Sequence, residues 1–199
     1  SVDKRTEQIS FCYNNDGVRK AKEISSNFQG YPGLPLNDIT FSSELLKEVF
    51  FRRLIDINRN DANDFLDFWL VDKNRLTDPI YLLAQTQGLS FSDMFEFVPK
   101  YYVSHNSSFI TDIAGLSKTD FDIANLSKGQ ILNFKKEPEN IYDTGAVYVC
   151  YNGIKIGYIK QGHNSIFARK NPKNITLTIW EIVNFPNNKK LYIRVDIHR

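Results

Sequence analysis

Cysteine is nearly absent. The two present among 199 residues, Cys12 and Cys150, lie too far apart in sequence and lack any partner motif, so they read as structural thiols and not as a disulfide framework or a metal site. Long hydrophobic runs are missing too. No stretch approaches the roughly 18 to 20 apolar residues that span a bilayer, and Ser1 to Gln8 is charged where a secretory signal would be hydrophobic. The expectation is a soluble cytoplasmic protein with no membrane partner, in which the Asn-x-Ser/Thr matches at Asn106, Asn125 and Asn174 arise by chance.

Several chemistries lack their residues. His105, His163 and His198 are scattered, with no metal-ligand spacing to each other or to cysteine. Asp61, Asp64 and Asp67 share a helical spacing, but on an exposed face they serve capping and solubility better than metal binding. There is no Gly-x-x-x-x-Gly-Lys-Ser/Thr loop, no dinucleotide glycine fingerprint and no Gly-x-Ser-x-Gly elbow, which removes the commonest routes to nucleotide hydrolysis, hydride transfer and acyl transfer. No cofactor, no metal and no enzymatic activity are expected.

What is present suffices for folded cores: 42% hydrophobic and 14% aromatic residues, in a length that holds one large or two small domains. The small net charge of +2 conceals an asymmetry. Residues 1–154 hold 16 basic and 21 acidic residues, net −5, whereas 155–199 hold 9 basic and 2 acidic, net +7. A basic pole attracts phosphates and releases their counterions; it also serves as a solvated face that balances the acidic half, and charge alone leaves both readings open.

Along the chain, Ile9 to Tyr13 alternates like a strand, Asn14-Asn15-Asp16-Gly17 suits a turn, and Val18 to Ile24 can return as the partner of an opening hairpin. Gly30-Tyr31-Pro32-Gly33-Leu34-Pro35 fits neither a helix nor a central strand and reads as a rigid connector. From a Ser42 cap, Leu46, Val49, Phe50, Leu54 and Ile57 fall at helical spacing and predict a core-facing helix, with Arg52 and Arg53 as a solvated pair on its charged side. Asp61 caps a second helix through Val71, anchored by Phe65, Phe68 and Trp69. Asp78-Pro79 opens a third that Gly88 closes, burying Ile80, Leu83 and Ala84. Asp93 to Val98 reads as a strand stopped by Pro99.

In the second half, Lys100 to Phe109 predicts a first strand, Ile113 to Ala124 a helix capped by Asp112, and Ile131 to Phe134 a strand. Glu137-Pro138-Glu139-Asn140-Ile141-Tyr142-Asp143 is a polar bend feeding a strand from Ala146 to Tyr151; Asn152-Gly153 supplies a tight turn into Ile154 to Lys160. His163 to Arg169 can form a short helix ended by Asn171-Pro172. Ile175 to Val183 and Lys190 to Ile197 make a closing hairpin, with Leu191, Ile193, Val195 and Ile197 inward.

The order Asn-x-Tyr-Asp, two residues, Ala-Val, then Asn-Gly-x-x-Ile-Gly-Tyr-Ile over about the last hundred residues resembles the HIRAN domain, a small β-barrel of bacteria and eukaryotic fork-remodelling helicases. The resemblance implies an OB/SH3-like barrel over 100–199 that binds single-stranded DNA or DNA ends. In it, Tyr142 would stack on a base, Asp143 would hydrogen-bond the strand or its terminal hydroxyl, and Lys160 would meet a phosphate; the basic Arg169, Lys170 and Lys173 extend the phosphate contacts. The helicase members carry an arginine and tyrosines on the first strand where Tyr102 to Phe109 offers serines, so half of that end-binding site is missing. The alternative reading of the residues has Asp143 capping the bend with Tyr142 packed beneath it.

Element order over 1–99, with Leu82-Leu83-Ala84 to Gly88 followed by Phe95 to Pro99, is similar to the N-terminal subdomain of HipA-type toxin kinases. That resemblance implies an antitoxin or regulatory subunit for a HipA-like kinase carried by another chain. The fold expected is α+β: a small helical domain with a β-hairpin over 1–99, then the barrel over 100–199.

Overall fold

The computed structural model describes residues 2–3, 8–37, 40–90, 92–99, 106–185 and 188–199. Packing divides the chain into two compact units, Ser1–Ala62 with Lys73–Phe97 and Asn63–Asp72 with Val98–Arg199. The second unit therefore recruits a short piece from the middle of the first half.

In the first unit, β1 (Val2–Asp3) pairs antiparallel with β2 (Gln8–Ile9). The strand expected to Tyr13 stops at Ile9, and the expected hairpin partner is instead a helix, α1 (Asn15–Ile24). Asn14 decides this: its side-chain oxygen accepts from the Gly17 amide at 2.9 Å, an N-cap that Asp16 supports in the first turn. The Tyr-Pro-Gly connector forms a minimal hairpin, β3 (Gly30–Tyr31) with β4 (Leu34–Pro35), pinned by the Tyr13 hydroxyl, which accepts from the Tyr31 amide at 2.6 Å and donates to the Leu34 carbonyl.

Helix α2 (Ser43–Phe51) starts on the expected Ser42 cap, which accepts from the Leu45 amide at 3.2 Å. It buries Leu46 and Phe50 in an aromatic core with Tyr31, Leu34 and Leu83, and it ends a turn and a half before Ile57. Arg53 is a correction: it is not solvated. Its side chain is 7% exposed, paired with Asp93, stacked 5.0 Å from the Tyr31 ring, and donates to the Gly88 carbonyl at 2.9 Å. That pairing also explains the second correction. Residues 93–99 form no strand; Asp93 turns to Arg53, and the Phe97 amide donates to the Gln87 carbonyl at 2.9 Å.

Helix α3 (Ala62–Phe68) and Trp69 follow; both Phe68 and Trp69 meet Tyr192 edge-on within the second unit. Helix α4 (Pro79–Thr86) opens as expected on Asp78, whose carboxylate accepts from the Tyr81 amide at 2.9 Å, and closes on Gln87 and Gly88, both left-handed.

The second unit is a closed antiparallel barrel. Its strands are β5 (Ser107–Ala114), β6 (Ile131–Lys136), β7 (Val147–Tyr151), β8 (Ile154–Ile159), β9 (Ile175–Phe185) and β10 (Asn188–Ile197), in the order β10-β5-β8-β7-β6-β9. The architecture is α+β, as expected. The first strand is described only from Ser107, since Lys100 to His105 lie outside the described residues.

The helix expected over 113–124 is not formed. Ile113 and Ala114 finish β5, opposite Ile159 and Tyr158, and two 3-10 turns, Leu116–Lys118 and Ile123–Asn125, carry the chain onward. The alternation of Phe109, Thr111 and Ile113 with Asp112 favours a strand, and Asp112 pairs with Lys160 instead of capping a helix.

Asn152 and Gly153 take φ of 49° and 82°, the pair of left-handed positions that lets β7 turn tightly into β8. Leu191, Ile193, Val195 and Ile197 point into the barrel and are almost fully buried, each contributing about 1.5–3 kcal/mol of apolar burial. Helix α5 (Ser165–Arg169) seals the core with Ile166 and Phe167, the latter edge-on to Phe134. Among the described residues, no helix is long and apolar enough to cross a membrane.

Candidate nucleic-acid interface

Between β6 and β7 the chain makes a corner from Glu137 to Ala146, and the sequence dictates its shape. Pro138 stops the β6 ladder, and the ends of the corner are closed by the Glu137 amide on the Ala146 carbonyl at 2.9 Å and the Ala146 amide on the Asp143 carbonyl at 2.9 Å. Inside it, the Asn140 side-chain oxygen accepts from the amides of both Tyr142 (3.0 Å) and Asp143 (3.1 Å), the turn that asparagine makes with its own backbone. The backbone that carries Tyr142 is thereby fixed.

One flank of the corner is a charged knot. Glu137 accepts from Asn140 at 2.7 Å, from the Tyr158 hydroxyl at 2.7 Å and from Lys155 at 2.9 Å, and these bonds, Asn140's foremost, pull its carboxyl down to about 2. Lys155 also lies over the rings of Tyr158 (4.3 Å) and Tyr148 (5.1 Å). Beside Tyr158 opens a groove of about 830 Å³, walled by Gly115, Lys118, Phe121, Asp122 and Lys155.

The other flank is Asn164, 7% exposed at the start of α5. Its amide donates to Asp143 Oδ2 at 2.8 Å and to the Gly145 carbonyl at 2.9 Å, while its oxygen accepts from the Gly162 amide at 3.1 Å. Asp143 Oδ1 accepts from the Gly145 amide at 2.8 Å.

The six expected site residues fall into three groups. Tyr142 is presented as expected: its side chain stands 86% exposed, not packed beneath the bend. Asp143 is half-buried and turned inward, bracing the corner. Lys160 is drawn off into an ion pair with Asp112, its side chain 21% exposed. Arg169 is exposed at the end of α5, its Nε donating to the Ser165 carbonyl at 3.2 Å; Lys170 is half-buried, and Lys173 is exposed on the 3-10 turn Pro172–Asn174. With five residues in α5, Arg169 at its end stands ~7.5 Å along the axis from Asn164, and Lys170 follows in extended backbone.

Asn164, Lys155 and Tyr158 escape sequence reasoning as site residues because their partners lie 18 to 21 positions away. Ile141, 87% exposed beside Tyr142, escapes because nothing in the motif draws attention to it. It is a large apolar side chain in the middle of a polar bend, which was a readable signal.

The barrel, the Asn-Ile-Tyr-Asp corner and the Asn-Gly hairpin behind it lie within residues 106–198, and those residues match the HIRAN domain family. The second unit carries a HIRAN domain. The crystal structure of the HIRAN domain of human HLTF is 18% identical to this chain, covers 45% of this chain and 74% of its own, and superposes with a TM-score of 0.36, too slight a likeness to argue from. No curated protein matches the chain. The HIRAN match begins at residue 106 and does not reach the first unit. There, two of the elements behind the HipA resemblance differ from expectation, α1 replacing a strand and residues 93–99 forming none.

Proposed function

We propose that this HIRAN domain is a non-enzymatic nucleic-acid-binding module that takes single-stranded DNA. The observation that carries the reading is Tyr142: a ring 86% exposed on a corner whose backbone is held from both flanks. An exposed ring on a flexible loop loses entropy when it stacks, whereas a pre-ordered one retains most of the ~1–3 kcal/mol that a base–aromatic stack supplies. Arg169 and Lys173, exposed at the far end of α5, lie in the basic tail and add attraction for the backbone phosphates. Lys160 is not part of that attraction, since Asp112 neutralises it.

Fluorescence anisotropy with labelled single-stranded DNA across a salt series tests the reading. Binding should weaken steeply as salt rises, and Tyr142→Ala should weaken it about tenfold at fixed salt. Binding indifferent to Tyr142→Ala, or none even at low salt, refutes it.

A further inference from the structure

The hairpin of β9 and β10 outruns the rest of the barrel. β6 reaches β9 only at Leu177 and Thr178, backbone bonds to Gly129 and Gln130 hold it once more at Ile179, and β5 reaches no further along β10 than Tyr192. Past those points Ile182 to Phe185 pair with Leu191 to Asn188 and, among the described residues, with no other strand. A free two-stranded ribbon results, about 10–13 Å long.

The ribbon carries charge of one sign. Between Glu181 and Asp196 the sequence holds no acidic residue, and those two are answered by Lys128 at 3.2 Å and Arg194 at 2.8 Å. Lys189 and Lys190 are exposed, and neither has a carboxylate partner among the described residues; Lys190 lies over the Tyr192 ring at 6.0 Å. Being consecutive in a strand, the two lysines leave opposite faces of the ribbon, one cation to each side. Phe185, 66% exposed, adds an aromatic ring at the ribbon's end.

This shape and charge suit a duplex. The major groove of B-form DNA, about 12 Å wide, admits a two-stranded ribbon and flanks it with phosphates on both walls. Lysines on opposite faces then meet opposite walls, while the ring of Phe185 enters between them, where an apolar side chain contacts a thymine methyl group. The corner that presents Tyr142 lies elsewhere. It follows Lys136, at the end of β6 remote from the ribbon, and the length of β6 puts about 17 Å between the two.

We propose that the β9–β10 ribbon is a second nucleic-acid site, which enters the groove of a duplex and holds its two phosphate rows through Lys189 and Lys190. The choice of nucleic acid as the polyanion rests on the proposed function; the residues and the form of ligand are separate from the corner's.

Fluorescence anisotropy of the full chain with a labelled blunt duplex of about 20 base pairs and a labelled single strand of about 20 nucleotides tests this at about 0.1 M salt, where a Debye length of about 10 Å screens the ribbon from the corner. A closed-circular duplex, which has no ends, should compete for the duplex probe. Lys189→Gln combined with Lys190→Gln should weaken duplex binding about tenfold and flatten its log–log salt slope by about 2, while single-strand affinity changes less than about threefold. Phe185→Ser should weaken duplex binding about three- to tenfold, and Tyr142→Ala should affect the single strand alone, in variants whose thermal melts match the wild type. Duplex binding that ignores the lysine pair, equal losses for both probes, or a circle that fails to compete overturns the ribbon site and leaves single-strand binding standing. Capture of polyglutamate by the same lysines without duplex overturns it in favour of an acidic protein partner. Duplex binding that follows the lysines, with single-strand binding indifferent to Tyr142→Ala, refutes the corner and keeps the ribbon.

Discussion

Asn164 donates its side-chain amide to the Oδ2 of Asp143 at 2.8 Å across 21 residues of chain, tying the start of α5 to the corner that presents Tyr142. The same amide reaches the Gly145 carbonyl, so a single buried side chain braces two points of the loop.

That geometry predicts a specific pattern of failure and repair. Asn164→Ala leaves Oδ2 of the half-buried Asp143 without its donor, while Oδ1 keeps the Gly145 amide, and should cost about 1–2 kcal/mol, read as a melting temperature lowered by about 5–10 °C. Asn164→Asp sets two carboxylates face to face and should be worse at neutral pH. Adding Asp143→Asn to it restores one donor between the two positions and should recover part of the loss, though not the bond to the Gly145 carbonyl. A double variant no more stable than the Asn164→Asp single shows that the Asp143–Asn164 bond is not what holds the corner.

Two groups give the second unit an acid response in separate windows. Burial, with the neighbouring Lys160 charge, lowers His163 from 6.5 to about 4, against a smaller opposing pull from Asp112. Its folded pKa lies below its unfolded one, so the unfolded chain takes up the proton first. Stability is full above about 6.5 and falls as pH drops toward 4, by about 3 kcal/mol if the imidazole stays neutral in the folded state throughout. Glu137, lowered from 4.5 to about 2, contributes stability that is present above 4.5 and lost as pH falls through 2. Denaturant melts between pH 7 and 4.5 should therefore show a slope that His163→Leu flattens and Glu137→Gln leaves alone. Equal slopes in wild type and His163→Leu contradict the assignment.

Signals confined to a few neighbouring residues were legible in the sequence. Ser42 and Asp78 cap the helices they predict, Asn152-Gly153 makes its tight turn, and the alternation from Leu191 to Ile197 faces the barrel interior. The misreadings have one physical source. Asn14-Asn15-Asp16-Gly17 carries residues that serve turns and N-caps equally, so only the i, i+3 spacing of Val18, Ala21 and Ile24 distinguished helix from hairpin. Asp112 and Asp93 were given local roles, yet each answers a cation 40 or more positions away, Lys160 and Arg53. The same holds at the corner: the outward Tyr142 follows from a local turn, whereas the inward turn of Asp143 depends on Asn164, whose place beside it is set only when the barrel closes.

Gly157 is where that closure is tightest. At φ 149°, opposite the irregularity between Val149 and Cys150, it lets β5 and β8 approach until an added Cβ would stand 2.4 Å from the Ile113 side chain and 2.6 Å from the Ala114 carbonyl oxygen. Gly157→Ala should cost about 3 kcal/mol or more, since backbone must move. Gly129→Ala is the control: its φ of 86° is strained as well, but nothing lies within 4 Å of the new methyl group, so the cost should be about 1 kcal/mol. Similar losses at the two positions would show that backbone conformation alone matters, and that the close approach of β5 and β8 does not.

The last strand locks the barrel. Tyr192 to Ile197 pair with Asp112 to Ser107 on one side and with Glu181 to Ile175 on the other, so β10 supplies both neighbours of the seam. Deleting Tyr192 to Arg199 removes every paired residue that β5 has on β10, along with the buried Ile193, Val195 and Ile197, whose combined burial is worth about 5–9 kcal/mol. That is comparable to the whole stability of a domain this size. It also leaves β5 held in the sheet only at Ile113 and Ala114, with an open edge. The truncated chain should lose the cooperative melt of its barrel and should aggregate, while aromatic signals from the first unit's separate core persist. A soluble truncation whose barrel still melts cooperatively would mean that the seam can be closed without β10.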